Sequence, residues 1–473
     1  MIKLSDAAPP VGLFGSRRVG RDRLLERLSL AAICVVYLAV TLAYSLMTPA
    51  WEANDEAQHA GYVQHLLEHR SLPPLASESG HQAHQPPLYY ALAALWQAAL
   101  GVPSFRPDPI PREDPIVIVP GRATPELMLS HDYGEEQRTH ARYLHLLRLL
   151  SVVLGLLTVL LTYVAARLAT GRADVALAAA AFVALLPKLN VVSAVVTNDA
   201  LVIPLSSLAL VGTLAYVRAP SRSSLRAAAL AGAVGLALGA ATLSKLNALP
   251  LVPVLLGGLF LARASLVRRL RDASLAVAGW FAACSWWFLH NTREYGDPLA
   301  REATRAYLDQ LVPSLIVPVP WFDTERFLYF VPQSLVETSW YNAGWNQLFA
   351  PFAVNLVLAL VAAIAVFGGL RAFAAGRACV LWPLDRRVGL LLGGVLAAGL
   401  AAVLIVTKDT TQAQGRVMYI GLSAFATVAV LGLAEGIGGS DRARLFGLLL
   451  FPTLLLLLNV YALTHFVIPF RGP

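Results

Sequence analysis

Residues 49–67 read PAWEANDEAQHAGYVQHLL and set Asp55, Glu56 and His59 directly after a long apolar run. Adjacent carboxylates beside an imidazole can do acid–base work: a carboxylate can take the proton of an attacking hydroxyl, and His59, four residues after Asp55, shares its helical face. The same residues have a plainer use. Asp55 and Glu56 fall in the first turn of a helix starting after Asn54, where free N–H groups and the dipole favour carboxylates. Asp55 with Gln58 also resembles a capping box. Helix grammar leaves both readings open. A second polar group, SGHQAHQPPLYY, carries His81, His84 and Gln85.

The elements that must position these groups are membrane helices. Of 473 residues, 57% are hydrophobic and 14% charged, a balance that excludes an ordinary soluble enzyme and points to a polytopic membrane protein. Apolar runs of helix-spanning length recur along the chain. The first, Leu28 to Met47, follows a basic stretch, lacks a small-residue cleavage pattern and reads as an anchor. The net charge of +8 lies in short loops, where it reports topology and not nucleic-acid binding. Three scattered cysteines give neither a disulfide framework nor a metal-ligand spacing.

The basic N-terminus (1–27) and the loops at 167–172, 218–226, 263–271, 371–387 and 442–444 place those segments in the cytoplasm and imply about eleven transmembrane helices. The parity requires that Leu88 to Leu100 does not cross. At thirteen residues it reaches only about 20 Å and reads as a helix at the outer surface, with Tyr89, Tyr90 and Trp96 at the interface. Two long outer loops follow. Residues 49–143 hold twelve Asp and Glu against six Arg, with surface helices expected near 55–69 and 88–100, and residues 290–350 include SLVETSWYNAGWNQLF. Loops this long in a compact membrane domain usually carry function. Shorter outer turns contain Asp199 (VVTNDAL), Lys245 (LSKLN) and Arg416 (QGRVMY).

The order of these motifs, DE after the first span, QPPLYY, RLLSVVLGLLTVLLTYVAARL, TND, LSKLNALP, WWFLHNTREYGDPL, ETSWYNAGWNQ and QGRVMYI, resembles the GT-C membrane glycosyltransferases. The similarity is closest to the branch holding protein O-mannosyltransferases, lipid A aminoarabinose transferases and bacterial relatives with a PPLYY motif. It covers almost the whole chain. The resemblance implies an all-α GT-C fold and Asp55 as the base that activates the acceptor. It also implies Glu56 in substrate positioning or active-site structure, Asp199 lining the same cavity, and Lys245 and Arg416 near the lipid phosphate. Where the aminoarabinose transferases carry an acid and a Lys before the proline, this chain has His84 and Gln85, which argues against an aminoarabinose donor.

The implied chemistry is economical in residues. A polyprenyl-phosphate sugar departs as a stable phosphate anion, so the site needs a base for the acceptor hydroxyl and fixed positive charge for the phosphate, and the displacement inverts the anomeric centre. Retaining hydrolysis, by contrast, needs two carboxylates about 5 Å apart. The expected partners are therefore a polyprenyl-phosphate sugar donor, an envelope glycan, lipid or protein acceptor, and membrane lipid. No cofactor is implied, and no residue spacing indicates a divalent metal. The expected location is a bacterial inner membrane, with the site on its outer face.

Plain alternatives stand beside each role. Lys245 can snorkel, Arg416 can anchor a helix end, and Asp199 can cap the helix after it. Tyr341 and Trp345 can stack on sugar or belong to an interfacial belt, the reading favoured for Trp321. Lys188 stands out as a charge within a span. A lipid-linked sugar flippase and a non-catalytic envelope scaffold are the rival functions.

Overall fold

The computed structural model describes residues 16–75, 80–113, 126–218, 224–311, 317–375, 385–411, 413–437 and 440–468. The side chain of His81 lies outside the described atoms. Among the described residues the chain is an α-helical bundle with two short β-hairpins, β1 (Ile110–Pro111) with β2 (Leu129–Ser130) and β3 (Asn342–Ala343) with β4 (Leu348–Phe349).

Among the described residues eight helices are long and apolar enough to cross a membrane, and the chain is a multi-pass membrane protein. They lie in α1 (Ser16–Met47), α4 (Glu135–Thr170), α7 (Asp199–Arg218), α8 (Ser224–Ser244), α13 (Phe352–Ala375), α14 (Arg386–Asp409), a segment from Gly415 through α15 (Leu422–Ile437), and α16 (Asp441–Ala462). A bent pair, α5 (Ala173–Ala184) with α6 (Pro187–Ser193), makes a ninth candidate. The other two of the eleven expected segments do not pass on length and composition. Leu251–Leu261, containing α9 (Leu251–Gly258), is short, and α10 (Leu266–Tyr295) is long but carries charge at both ends.

The boundaries follow local chemistry. Glu135 and Glu136 open α4, where the dipole favours acids, and Gly171 at φ 72° closes it in the left-handed conformation that glycine adopts without cost. The α5/α6 pair bends by 61° because Pro187 has no N–H to continue the ladder and forces Leu186 into extended backbone. Helices α8 and α10 approach so closely that a Cβ on Gly235 would lie 1.9 Å from the Ala276 carbonyl oxygen, the small-residue contact typical of membrane helices.

The first loop folds onto one end of this bundle. Helices α2 (Glu56–His69) and α3 (Leu88–Ala99) bury Trp51, Tyr62, Val63, Tyr89 and Tyr90 against Leu144 and Leu147 of α4 and Val196. Each such aromatic contributes on the order of 2–3 kcal/mol of apolar burial. Tyr89 and Tyr90 are thus fully buried, not interfacial as their sequence context suggested, because their hydroxyls find partners inside the loop cluster.

Candidate active site

Asp55 occupies the N-cap position of α2 at φ 61°, ψ 5°, yet its side chain makes no capping hydrogen bond to the helix. The Gln58 Oε1 expected to complete a capping box is buried without a hydrogen-bond partner. The capping reading therefore fails for this pair. Instead the Asp55 Oδ2 accepts from Asn54 Nδ2 at 3.0 Å. A non-glycine residue in the left-handed region is strained, and such strain persists where the surroundings over-determine it. The next residue supplies part of that determination.

Glu56 is fully buried, and Arg148 of α4 grips it from Nε at 2.8 Å and Nη2 at 2.6 Å. The Val196 N–H donates to the same carboxylate at 3.0 Å. Arg148 also donates to the carbonyls of Ser45, Thr48 and Pro49. Glu56 therefore fastens α1, α2, α4 and the turn before α7, which makes it a positioning residue with both oxygens occupied. Sequence reading missed Arg148. The available signal was an arginine in the middle of a helix otherwise running RLLSVVLGLL, a placement that is rare without a partner.

His59 is 5% exposed, and its Nδ1 lies 2.9 Å from the Tyr90 hydroxyl. Burial lowers its pKa from 6.5 to about 3; Asp55 and Asp199 oppose the shift while Lys245 and Arg416 reinforce it. The imidazole is neutral at neutral pH, and the charges of all four groups act on it. Tyr89 accepts from the Thr197 N–H at 3.1 Å and pairs with Ser151 at 3.1 Å. The two tyrosines of QPPLYY thus hold the TND turn and His59 respectively. Gln85 extends the same bracing. It accepts from Asn198 Nδ2 at 3.1 Å and contacts His84 Nε2 at 2.7 Å.

Asp199 is buried and accepts from Lys245 Nζ at 2.7 Å, with Arg416 Nη1 at 3.5 Å on its other oxygen. The Lys245 and Arg416 side chains retain 19% and 16% exposure. Burial pulls the Lys245 pKa down and Asp199 opposes the fall. Three loops distant in sequence thus deliver two cations around one carboxylate, with a path to a charged ligand still open at the cations. Such an arrangement can hold a phosphate.

Of the remaining candidates, Tyr341 is fully buried and stacks on Phe466 with ring centroids 5.8 Å apart, a packing role. Trp345 is half-buried, and its Nε1 has no hydrogen-bond partner. Trp321 is 49% exposed, with Lys408 Nζ 5.8 Å above its ring. Lys188 is buried at the start of α6, and its ammonium donates to the backbone and side-chain oxygens of Asn342. Among the described residues no three His, Cys, Asp or Glu side chains group as metal ligands. Glu52, buried behind the loop, accepts from the Leu129 and Met128 N–H groups at 2.9 and 3.1 Å. Burial raises its pKa from 4.5 to about 7 against those bonds.

Two solved structures share this architecture at low identity. One is the Archaeoglobus fulgidus oligosaccharyltransferase tethered with an acceptor peptide: TM-score 0.52, 13% identity, covering 94% of this chain and 56% of that one. The other is ArnT from Cupriavidus metallidurans in the apo state: TM-score 0.51, 15% identity, covering 96% of this chain and 74% of that one. The fold is GT-C. Within it, residues 128–291, about a third of the chain, match the family model of the dolichyl-phosphate-mannose-protein mannosyltransferases. The S. cerevisiae Pmt1-Pmt2 complex aligns at TM-score 0.40 and 19% identity over 67% of this chain, which spans 39% of that one. The chain therefore spans between about two fifths and three quarters of these GT-C structures. No curated protein matches it in sequence.

Proposed function

We propose that this chain is a membrane glycosyltransferase that moves a sugar from a polyprenyl-phosphate carrier to a hydroxyl of an envelope glycan, lipid or protein on the outer face of a bacterial inner membrane. The acceptor oxygen attacks the anomeric carbon and its proton passes to the Asp55 carboxylate. The bond from that carbon to the phosphate oxygen breaks, and polyprenyl phosphate leaves as the anion with inversion of the sugar. Lys245 and Arg416, held by Asp199, balance the charge that builds on the departing phosphate. His59, kept neutral by burial, adds no competing charge between the base and the cations.

The observation that carries this reading is the Asp199–Lys245–Arg416 cluster assembled around one carboxylate, electrostatically coupled to Asp55 through Lys245 and His59. The mannosyltransferase match over residues 128–291 supports the donor class. The test is Asp55→Asn in purified protein supplied with labelled polyprenyl-phosphate sugars. Transfer should fall by about 10²- to 10⁴-fold while the melting temperature stays put. Transfer at the wild-type rate would remove Asp55 as the base, and wild-type protein that carries the donor across vesicles without consuming it would make the chain a transporter.

A further inference from the structure

The second outer loop turns back as the β3–β4 hairpin, and three features of this hairpin go beyond packing. Its base is fastened by Lys188: the ammonium donates to the Asn342 carbonyl at 2.9 Å and to the Asn342 side-chain oxygen, and the Lys188 N–H donates to the Trp340 carbonyl at 2.9 Å. Its inside is braced by Asn342 Nδ2, which donates to Asn346 Oδ1 at 2.8 Å. Its tip, Gly344 at φ 63°, presents a carbonyl that accepts the Asn54 N–H at 3.2 Å. Asn54 in turn donates from its side chain to the Asp55 carboxylate.

Hydrogen bonds at the base and at the tip of the hairpin, joined through the backbone from Asn342 to Gly344, therefore connect a buried lysine at the α5/α6 break to the strained residue proposed as the base. The break is what makes this reachable. Pro187 ends the α5 ladder, so the next residue, Lys188, directs both its N–H and its side chain out of the helix pair to the hairpin. Buried N–H donors are costly without acceptors, and the two oxygens of Asn342 supply two for the Lys188 side chain only when the hairpin is docked. The geometry also accounts for a lysine inside an apolar run that makes no hydrogen bond to the Asp199 cluster.

We infer that Lys188 and Asn342 form a latch that docks the second outer loop on the α5/α6 break and, through Gly344 and Asn54, ties it to the first loop and fixes the orientation of the Asp55 carboxylate. Both are positioning residues, and Asp55 remains the group that meets the substrate. The inference rests on the assignment of Asp55 as the base for its effect on rate, while its structural part stands apart from any activity.

Two measurements are made on the full chain in nanodiscs, for wild type, Lys188→Met, Asn342→Leu, the double variant and Gly344→Ala, whose Cβ would strain the positive φ of the tip and meet the Gln347 side chain. The first is backbone hydrogen exchange over residues 52–58. The second is the kcat and donor KM of sugar transfer. The latch predicts faster exchange at 52–58 in every variant, with the double variant no worse than the worse single. It predicts a kcat lower by about ten- to a hundredfold with donor KM within about twofold, and an effect of the same kind for Gly344→Ala. Unchanged exchange at 52–58 in the folded variants overturns the latch whatever the activity. Faster exchange with unaltered kcat overturns the link to catalysis. If wild type transfers no sugar but exchange still responds, the docking stands and the glycosyltransferase reading falls.

Discussion

Two carboxylate–cation assemblies stand near one end of the bundle, and they are built in opposite ways. Glu56 and Arg148 are both fully buried, bidentate and supplemented by the Val196 N–H and three backbone carbonyls, so no lone pair or proton of consequence is left over. Asp199 has two cations, one at 2.7 Å and one at 3.5 Å, and both cations keep part of their surface open. The first arrangement is saturated and acts as a fastener. The second is under-coordinated on its cationic side, which is the condition for receiving a further anion. Saturation, more than residue type, separates a structural ion pair from a binding one.

The comparison breaks most visibly in stability. Removing one partner of a fully buried pair leaves an uncompensated charge and costs about 3–5 kcal/mol, so Arg148→Ala should lower the melting temperature in detergent sharply, or abolish folded protein. If Arg148→Ala melts like wild type, Glu56 and Arg148 are not the fastener described. Asp199→Asn should act differently. It lowers the melting temperature less, because both cations keep part of their surface open, but loosens Lys245 and Arg416, raising the donor KM about tenfold, or about 1.4 kcal/mol. A melting loss as large as that of Arg148→Ala would erase the distinction.

A smaller effect separates two titrating groups of the first loop. His59 is depressed to about 3 from 6.5, so between those values the unfolded chain binds a proton that the folded chain refuses. Its contribution to stability is complete above about 6.5 and is lost as pH falls toward 3. Glu52 carries the opposite sign. With its pKa raised from 4.5 to about 7, the folded chain keeps the proton longer, so stability is complete below 4.5 and is lost as pH rises through 7. Melting curves from pH 4 to 8 should therefore flatten on the acid limb in His59→Phe and on the neutral limb in Glu52→Gln. Identical slopes in wild type and both variants would show that neither group is buried as described.

Much of this protein was legible in its sequence, for reasons that differ by residue. Apolar length announced the spans, because backbone in hydrocarbon must close its own hydrogen bonds within a helix. Among the described residues the eleven apolar segments read from the chain correspond to eight helices of crossing length, one bent pair and two segments that fall short on length or composition. The bent pair was hidden in the sequence as Leu-Leu-Pro-Lys, whose consequence depends on where the freed groups find partners. Among the polar residues, pattern could name Asp55, Asp199, Lys245 and Arg416. It could not say that Asp55 leaves its helix uncapped while Glu56 is locked to Arg148.

The division has a physical basis. Composition, charge placement and motif order are local or periodic properties, and the sequence by itself determined the membrane class, the helical architecture and the set of chemically capable residues. Partnership is not local. Glu56 meets Arg148 92 positions away and Lys188 meets Asn342 154 positions away, and only the packing of α1, α4, α6 and the two long loops brings them together. Burial then decides what each group is: a neutral imidazole at His59, a saturated pair at Glu56, and two part-exposed cations around Asp199.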